Sequence, residues 1–191
     1  MKETAMSVFS VVKDYNSNPI KLSKPKSVYY LILLFMVSCL IGWIYEEIFY
    51  YFTESFVGNR GFLYGPYLPV YGFGALCMLL LLKPLKKHPI LFFFSAMVLT
   101  GVLEYITGWV LHAIWGRDWW TYDGLFMNIG GYVCLRSVIT FGIGGLMLIY
   151  LMDPVMTHMV DRSSKRVLHV VSVALIAVLC VDLIVTLLIR Y

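Results

Sequence analysis

The chain has 191 residues, 60% of them hydrophobic and 14% charged, with 15 lysines and arginines against 11 aspartates and glutamates. A soluble domain of this length cannot hide so much apolar surface from water, and a formal charge of +4 gives no reason to invoke nucleic acid. The composition defines an all-α integral membrane protein with length for about five spans of roughly 20 residues each, surrounded by membrane lipids and with no room for a soluble catalytic or ATP-binding domain.

Residues 1–27 contain five lysines and a weakly amphipathic stretch in which Met6, Phe9, Val12 and Tyr15 fall near helical spacing. They are expected to form a cytoplasmic or interfacial amino-terminal segment, ending as a helix near Pro19, ahead of a single transmembrane domain over residues 28–191. The first apolar run, 28–52, is long enough to span and is expected to act as an uncleaved signal anchor. Its last turns read GWIYEEIFYYF. Glu46 and Glu47 lie about 100° apart around a helix, so they cannot both face inward. Gly42 and Trp43, four and three residues earlier, share the face of Glu46, which makes Glu46 the inward carboxylate.

Asn59 to Gly74, NRGFLYGPYLPVYGFG, is apolar yet interrupted by glycines and prolines. If the second span covers 67–82, with Pro69 in its first turn, its regular part is roughly 21 Å long against a hydrocarbon core of about 30 Å. The missing depth is expected to come from residues 60–68 re-entering the protein, because irregular backbone at membrane depth survives only where protein or trapped water satisfies it. Lys83, Lys86 and Lys87 then mark a short hairpin.

The third span, 90–115, carries Glu104 roughly 21 Å from its first residue. Thr100, Glu104 and Gly108 share one face, and Val102, Ile106 and Val110 make a lipid-like one. A glutamate at that depth is costly unless paired or protonated, so it is read as functional. Residues 116–129, GRDWWTYDGLFMNI, form an aromatic loop with Asn128 among its polar members. The fourth span, 130–152, contains Arg136 and several glycines that permit close helix approach. The fifth, 167–189, carries Asp182.

Eleven lysines and arginines fall in the amino terminus and the loops at 83–88 and 153–166, whereas the opposite loops and the carboxyl terminus hold Arg60, Arg117 and Arg190. The positive-inside rule therefore places the amino terminus in the cytoplasm and the carboxyl terminus outside. Glu46, Arg60, Glu104, Arg136 and Asp182 then share one depth in the outer half of the bilayer, which predicts a polar cavity or a buried ion-pair network. Cys39, Cys77, Cys134 and Cys180 have no CxxC spacing and read as packing residues. There is no metal-ligand spacing, no HExxH or GxSxG, and no GxxxxGK[ST], so neither a catalytic motif nor a cofactor site is readable.

The runs GWIYEEIF, NRGFLYGPYLPVYGFG, LEYITGW and WWTYDGLFMNIGGYVCL, over about residues 30 to 145, resemble the small bacterial family labelled putative ABC-transporter permease, the type IV or CmpB-like membrane proteins. The resemblance places Trp43, Glu46, Arg60, Gly61, Gly65, Pro66, Pro69, Tyr71, Gly72, Glu104, Tyr105, Trp120, Asn128 and Gly131 on family-pattern positions. Thr121, Asp123 and Tyr132 depart from it, where the family reads WDYS and GRICL. It implies a permease-like subunit of a bacterial cell membrane. The candidate ligand-binding residues are Glu46, Arg60, Gly61, Gly65, Pro66, Tyr71, Glu104, Asn128 and Arg136. Five spans are few for a complete pathway, so a homo-oligomer or a separate ATPase subunit is expected. Two alternatives stay open: a membrane scaffold whose charges only hold helices, and an intramembrane lipid-modifying enzyme using a carboxylate base with arginines for phosphate.

Overall fold

Caps, prolines and glycines set the boundaries of the helices. The computed structural model describes residues 7–54 and 61–189, and every regular element among them is helical. Ser7 opens α1, Val8–Ser17, by accepting a hydrogen bond from the Ser10 N–H at 3.2 Å, and α1 buries Val11 and Tyr15. α2, Lys24–Glu54, has 31 residues and is roughly 46 Å long, well beyond the hydrocarbon core.

Pro69 begins α3, Pro69–Cys77, at a first-turn position where its missing N–H breaks no bond. The helical run does not stop at Leu82. It continues through a wide π-helical turn, Met78–Leu82, and a 3-10 segment, Lys83–Lys87, because Pro84 falls in the first turn of the tighter segment and need not donate. The apolar run Pro69–Lys87 therefore has 19 residues, roughly 28 Å at helical rise, and nearly spans by itself. Residues 61–68 re-enter nonetheless. The Leu68 N–H donates to the carbonyl of Cys39 at 3.1 Å, and Cys39 lies in the middle of α2, roughly 20 Å short of Phe52.

α4, Pro89–Trp115, buries a stripe four residues apart, Phe92, Ala96, Thr100, Glu104 and Gly108, while Val98, Val102 and Ile106 on its other side are exposed. It ends at Gly116, whose φ of +65° supplies the left-handed residue of a helix C-terminus. After an irregular stretch through residue 134 come α5, Leu135–Met147, a second π-helical turn, Leu148–Met152, and α6, Asp153–Arg162. α7, Lys165–Ile189, completes the chain. Among the described residues five runs are long and apolar enough to cross a membrane: Lys24–Phe52, Pro69–Lys87, Pro89–Trp115, Leu135–Arg162 and Lys165–Ile189. Their exposed leucine, isoleucine, valine and phenylalanine side chains form the lipid-facing surface.

The main core surrounds Leu34, Phe92 and Ile149, each fully buried. The π-helical turn Met78–Leu82 and α5 pack closely there: a Cβ on Gly145 would lie 2.7 Å from the Met78 sulfur, so a larger residue would force that side chain to shift. Towards the end carrying Lys83–Lys87, here the lysine end, Asp153 is fully buried yet well held. It accepts from the Tyr30 hydroxyl at 2.7 Å and the Tyr15 hydroxyl at 3.2 Å, and it pairs with the Lys83 Nζ at 3.0 Å. Tyr15 thereby fastens α1 to the bundle. A smaller core of Cys39, Leu63 and Tyr67 lies beneath the re-entrant segment.

Candidate functional site

A cavity of about 840 Å³ lies towards the opposite end, here the tryptophan end, among α2, α3, α4, α5, α7, the re-entrant segment and the 117–122 loop. Glu46, Tyr71, Glu104, Trp119, Trp120 and Tyr122 are among the residues that line it.

Glu104 reaches this wall by continuing the buried stripe of α4, and it is 4% exposed. Its two oxygens accept from the hydroxyls of Tyr122 and Ser137, each at 2.7 Å. Among the described residues no lysine or arginine forms an ion pair with it, so neutral donors alone hold this carboxylate. Ser137 sits in the first turn of α5, where it also accepts the Cys134 N–H at 3.2 Å. Burial first, and the Glu104 charge second, push the Tyr122 hydroxyl well above the ordinary phenol range, which keeps it a donor.

Glu46 stands on the cavity side of α2 and accepts from the Tyr71 hydroxyl at 3.0 Å. Tyr71 can reach it because Gly42, one turn earlier on α2, has no side chain: a Cβ there would lie 2.2 Å from the tyrosine ring. Glycine and glutamate four residues apart thus seat one tyrosine, the ring over the glycine and the hydroxyl on the acid.

The re-entrant segment is anchored from α7. Asp182 accepts from the backbone N–H groups of Tyr64 at 3.1 Å and Gly65 at 2.8 Å, the Tyr67 hydroxyl at 2.5 Å and the Thr186 hydroxyl at 3.1 Å. One carboxylate therefore satisfies two peptide donors that helical structure would otherwise have satisfied. Burial, followed by the bond to Asp182, raises the Tyr67 hydroxyl above the ordinary phenol range.

Of the residues expected at the site, Glu46, Gly61, Tyr71 and Glu104 line the cavity. Gly65 belongs to the Asp182 clamp, and Pro66 is exposed at the same turn. Asn128 organises the loop before α5, donating to the Leu125 carbonyl at 3.0 Å and accepting the Gly131 N–H at 3.4 Å. Arg136 is exposed and rests its guanidinium over the rings of Phe49, 4.7 Å from the centroid, and Tyr122, 6.0 Å away. Arg60 lies outside the described residues. An ion-pair network is therefore not what holds Glu104 and Asp182: hydroxyls and backbone N–H groups do so. In the sequence Tyr122 reads only as one aromatic of the 116–129 loop, and Ser137, three residues past Cys134 at the start of a span, has only a capping spacing to mark it.

Successive helices long and apolar enough to cross a membrane define a multi-pass membrane protein. The family model described as Putative ABC-transporter type IV matches residues 33–187, and the chain belongs to that family, which makes it transporter-like. No curated protein and no solved structure matches the chain.

Proposed function

We propose that the protein is a permease-like subunit whose cavity between Glu46 and Glu104 binds a small solute on its way across the membrane. The observation that carries the reading is Glu104, a carboxylate buried at membrane depth, facing a cavity of about 840 Å³ and held by neutral hydroxyls. An ionisable residue inside a membrane span that faces a cavity is a functional-site hypothesis by default. The lysine-rich loops support an orientation with the lysine end and the amino terminus in the cytoplasm, and the cavity and the carboxyl terminus towards the outside. Membership of the family supports a separate ATPase subunit as the energy source, with protons taken up through a carboxylate as the alternative.

Native mass spectrometry of the gently solubilised protein tests this, because one spectrum reads oligomer, co-purifying subunits and retained solute. The wild-type chain should carry an associated ATPase or a non-lipid adduct. Glu104→Gln, which keeps the shape, should lose the adduct while its melting midpoint stays within a few degrees. A variant that only melts earlier, with no adduct on the wild type, makes the network a helix-holding device of a scaffold protein.

A further inference from the structure

Two stretches of this chain repeat. Residues 71–85, YGFGALCMLLLLKPL, align without a gap on residues 141–155, FGIGGLMLIYLMDPV, at an offset of 70, with Gly72, Gly74, Leu76, Leu81 and Pro84 meeting identical residues. The backbone repeats at the same offset: the π-helical turn Met78–Leu82 recurs at Leu148–Met152, and Gly61 with φ +87° recurs as Gly131 with φ +73°.

The preceding helices repeat too, at an offset of 58. Gly72 packs against Phe35 and Cys39, and its counterpart Gly142 packs against Phe93 and Met97, which are the same two positions 58 residues later. That offset also carries Leu34 onto Phe92, both fully buried, and Glu46 onto Glu104. The difference between the offsets means that twelve extra residues separate the two helices of the second hairpin. Their effect shows at the carboxylates. Tyr71 donates to Glu46, but its counterpart Phe141 has no hydroxyl, and Tyr122 from the longer loop donates to Glu104 instead.

Both hairpins, α2–α3 and α4–α5, start from the lysine end and return to it, so the rotation relating them runs along the bundle. A residue touches its own rotated copy only beside the rotation axis. Two equivalent pairs touch: the rings of Tyr71 and Phe141, with centroids 5.1 Å apart, and Lys83 with Asp153, at 3.0 Å. They mark the axis at two heights, roughly 18 Å apart at helical rise. Tyr71 and Phe141 both line the cavity, so the axis passes from the cavity through the packed core to the Lys83–Asp153 pair.

We propose that the chain is two equivalent helical hairpins about this axis, that the solute cavity is their seam at one end, and that the Lys83–Asp153 pair is the latch that closes the seam at the other. The proposal rests on the transport reading for the solute but not for the motion. Parallel repeats about an axis along the membrane normal place a site at the repeat interface and open it by rocking one repeat against the other. α1 belongs to neither hairpin and straps the latch through Tyr15, whose ring also lies 5.0 Å from the Lys86 Nζ.

The test uses full-length protein with its four native cysteines replaced, in vesicles of both orientations, and a membrane-impermeant maleimide. One reporter is Leu79→Cys, buried beside the latch, and the other is Thr107→Cys, on the cavity wall. Adding Lys83→Met should speed labelling of the first from the lysine face by about tenfold and slow labelling of the second from the tryptophan face, as a shift in population requires. Faster labelling at both positions means a loosened bundle, and no change at either means no latch; each result overturns the proposal. As a check independent of that variant's folding, the pairs Lys83→Cys with Asp153→Cys and Tyr71→Cys with Phe141→Cys should each form an intramolecular cross-link, and failure of both removes the axis. Labelling needs no solute, so reciprocal labelling with no adduct in native mass spectrometry would sink the solute site and leave the moving seam.

Discussion

At the residue scale, single atoms decide which side chains reach the cavity. Gly42→Ala would drive a methyl group into the Tyr71 ring and lift its hydroxyl from Glu46. The expected cost is about 1–3 kcal/mol in reversible unfolding, as for other overpacked contacts. Adding Tyr71→Phe to that background should cost little more, because the bond is already lost; a double-mutant cycle measures the coupling. Asp182→Ala removes the acceptor for two peptide N–H groups and should destabilise by about 2 kcal/mol, read as an earlier thermal midpoint in detergent. Glu46 and Glu104 were legible in the sequence because a carboxylate in an apolar run stands out. The role of Asp182 was not, since two of its partners are backbone N–H groups more than a hundred residues earlier that have no side-chain signature. Arg136 was expected to need a carboxylate. It is exposed at the start of its helix, where water can solvate the guanidinium edge and aromatic faces suffice for the plane.

At the element scale, the five apolar runs were readable from hydropathy, and so was the re-entry of residues 61–68, although not for the reason of length. Proline misled the reading of α3. Pro84 signals an end in a sequence, but a wide turn followed by a tight one carries the helix past it. Such a pair of turns changes the backbone bonding pattern locally without breaking the run, and only the packing of Met78 and Leu79 into the core decides it. α1 is expected as part of a cytoplasmic or interfacial segment. It docks on the bundle, because Tyr15 completes the donor set of a fully buried aspartate. Tyr15→Phe should therefore cost about 1 kcal/mol and, more tellingly, speed amide hydrogen exchange in α1 while leaving α2 unchanged.

At the scale of the whole molecule, two hairpins account for four of the five spans and the family match covers both. The repeat lay open in the sequence, with glycines, a leucine ladder and a proline in register. Reading span by span hides it, because hydropathy asks whether each helix can cross a membrane and never whether two helices are alike. The substrate was not legible at any scale. The cavity walls are mostly rings and apolar side chains contributed by five helices, the re-entrant segment and the 117–122 loop, and their joint shape exists only after these have packed on each other.

The Asp182 clamp also sets an order of events at birth. Gly65 precedes Asp182 by 117 residues, so at roughly 5–20 residues per second its N–H waits on the order of ten seconds for the acceptor to be synthesised. During that interval the first hairpin is already in the lipid with its irregular stretch unclamped, a state that a bilayer penalises heavily. A chain truncated before residue 182 should stay in that condition: cleavable between residues 61 and 68 by added protease where the full chain is protected, and a preferred target for membrane quality control. α7 thus acts as a timed closure, and synthesis of Asp182 is what completes the clamp.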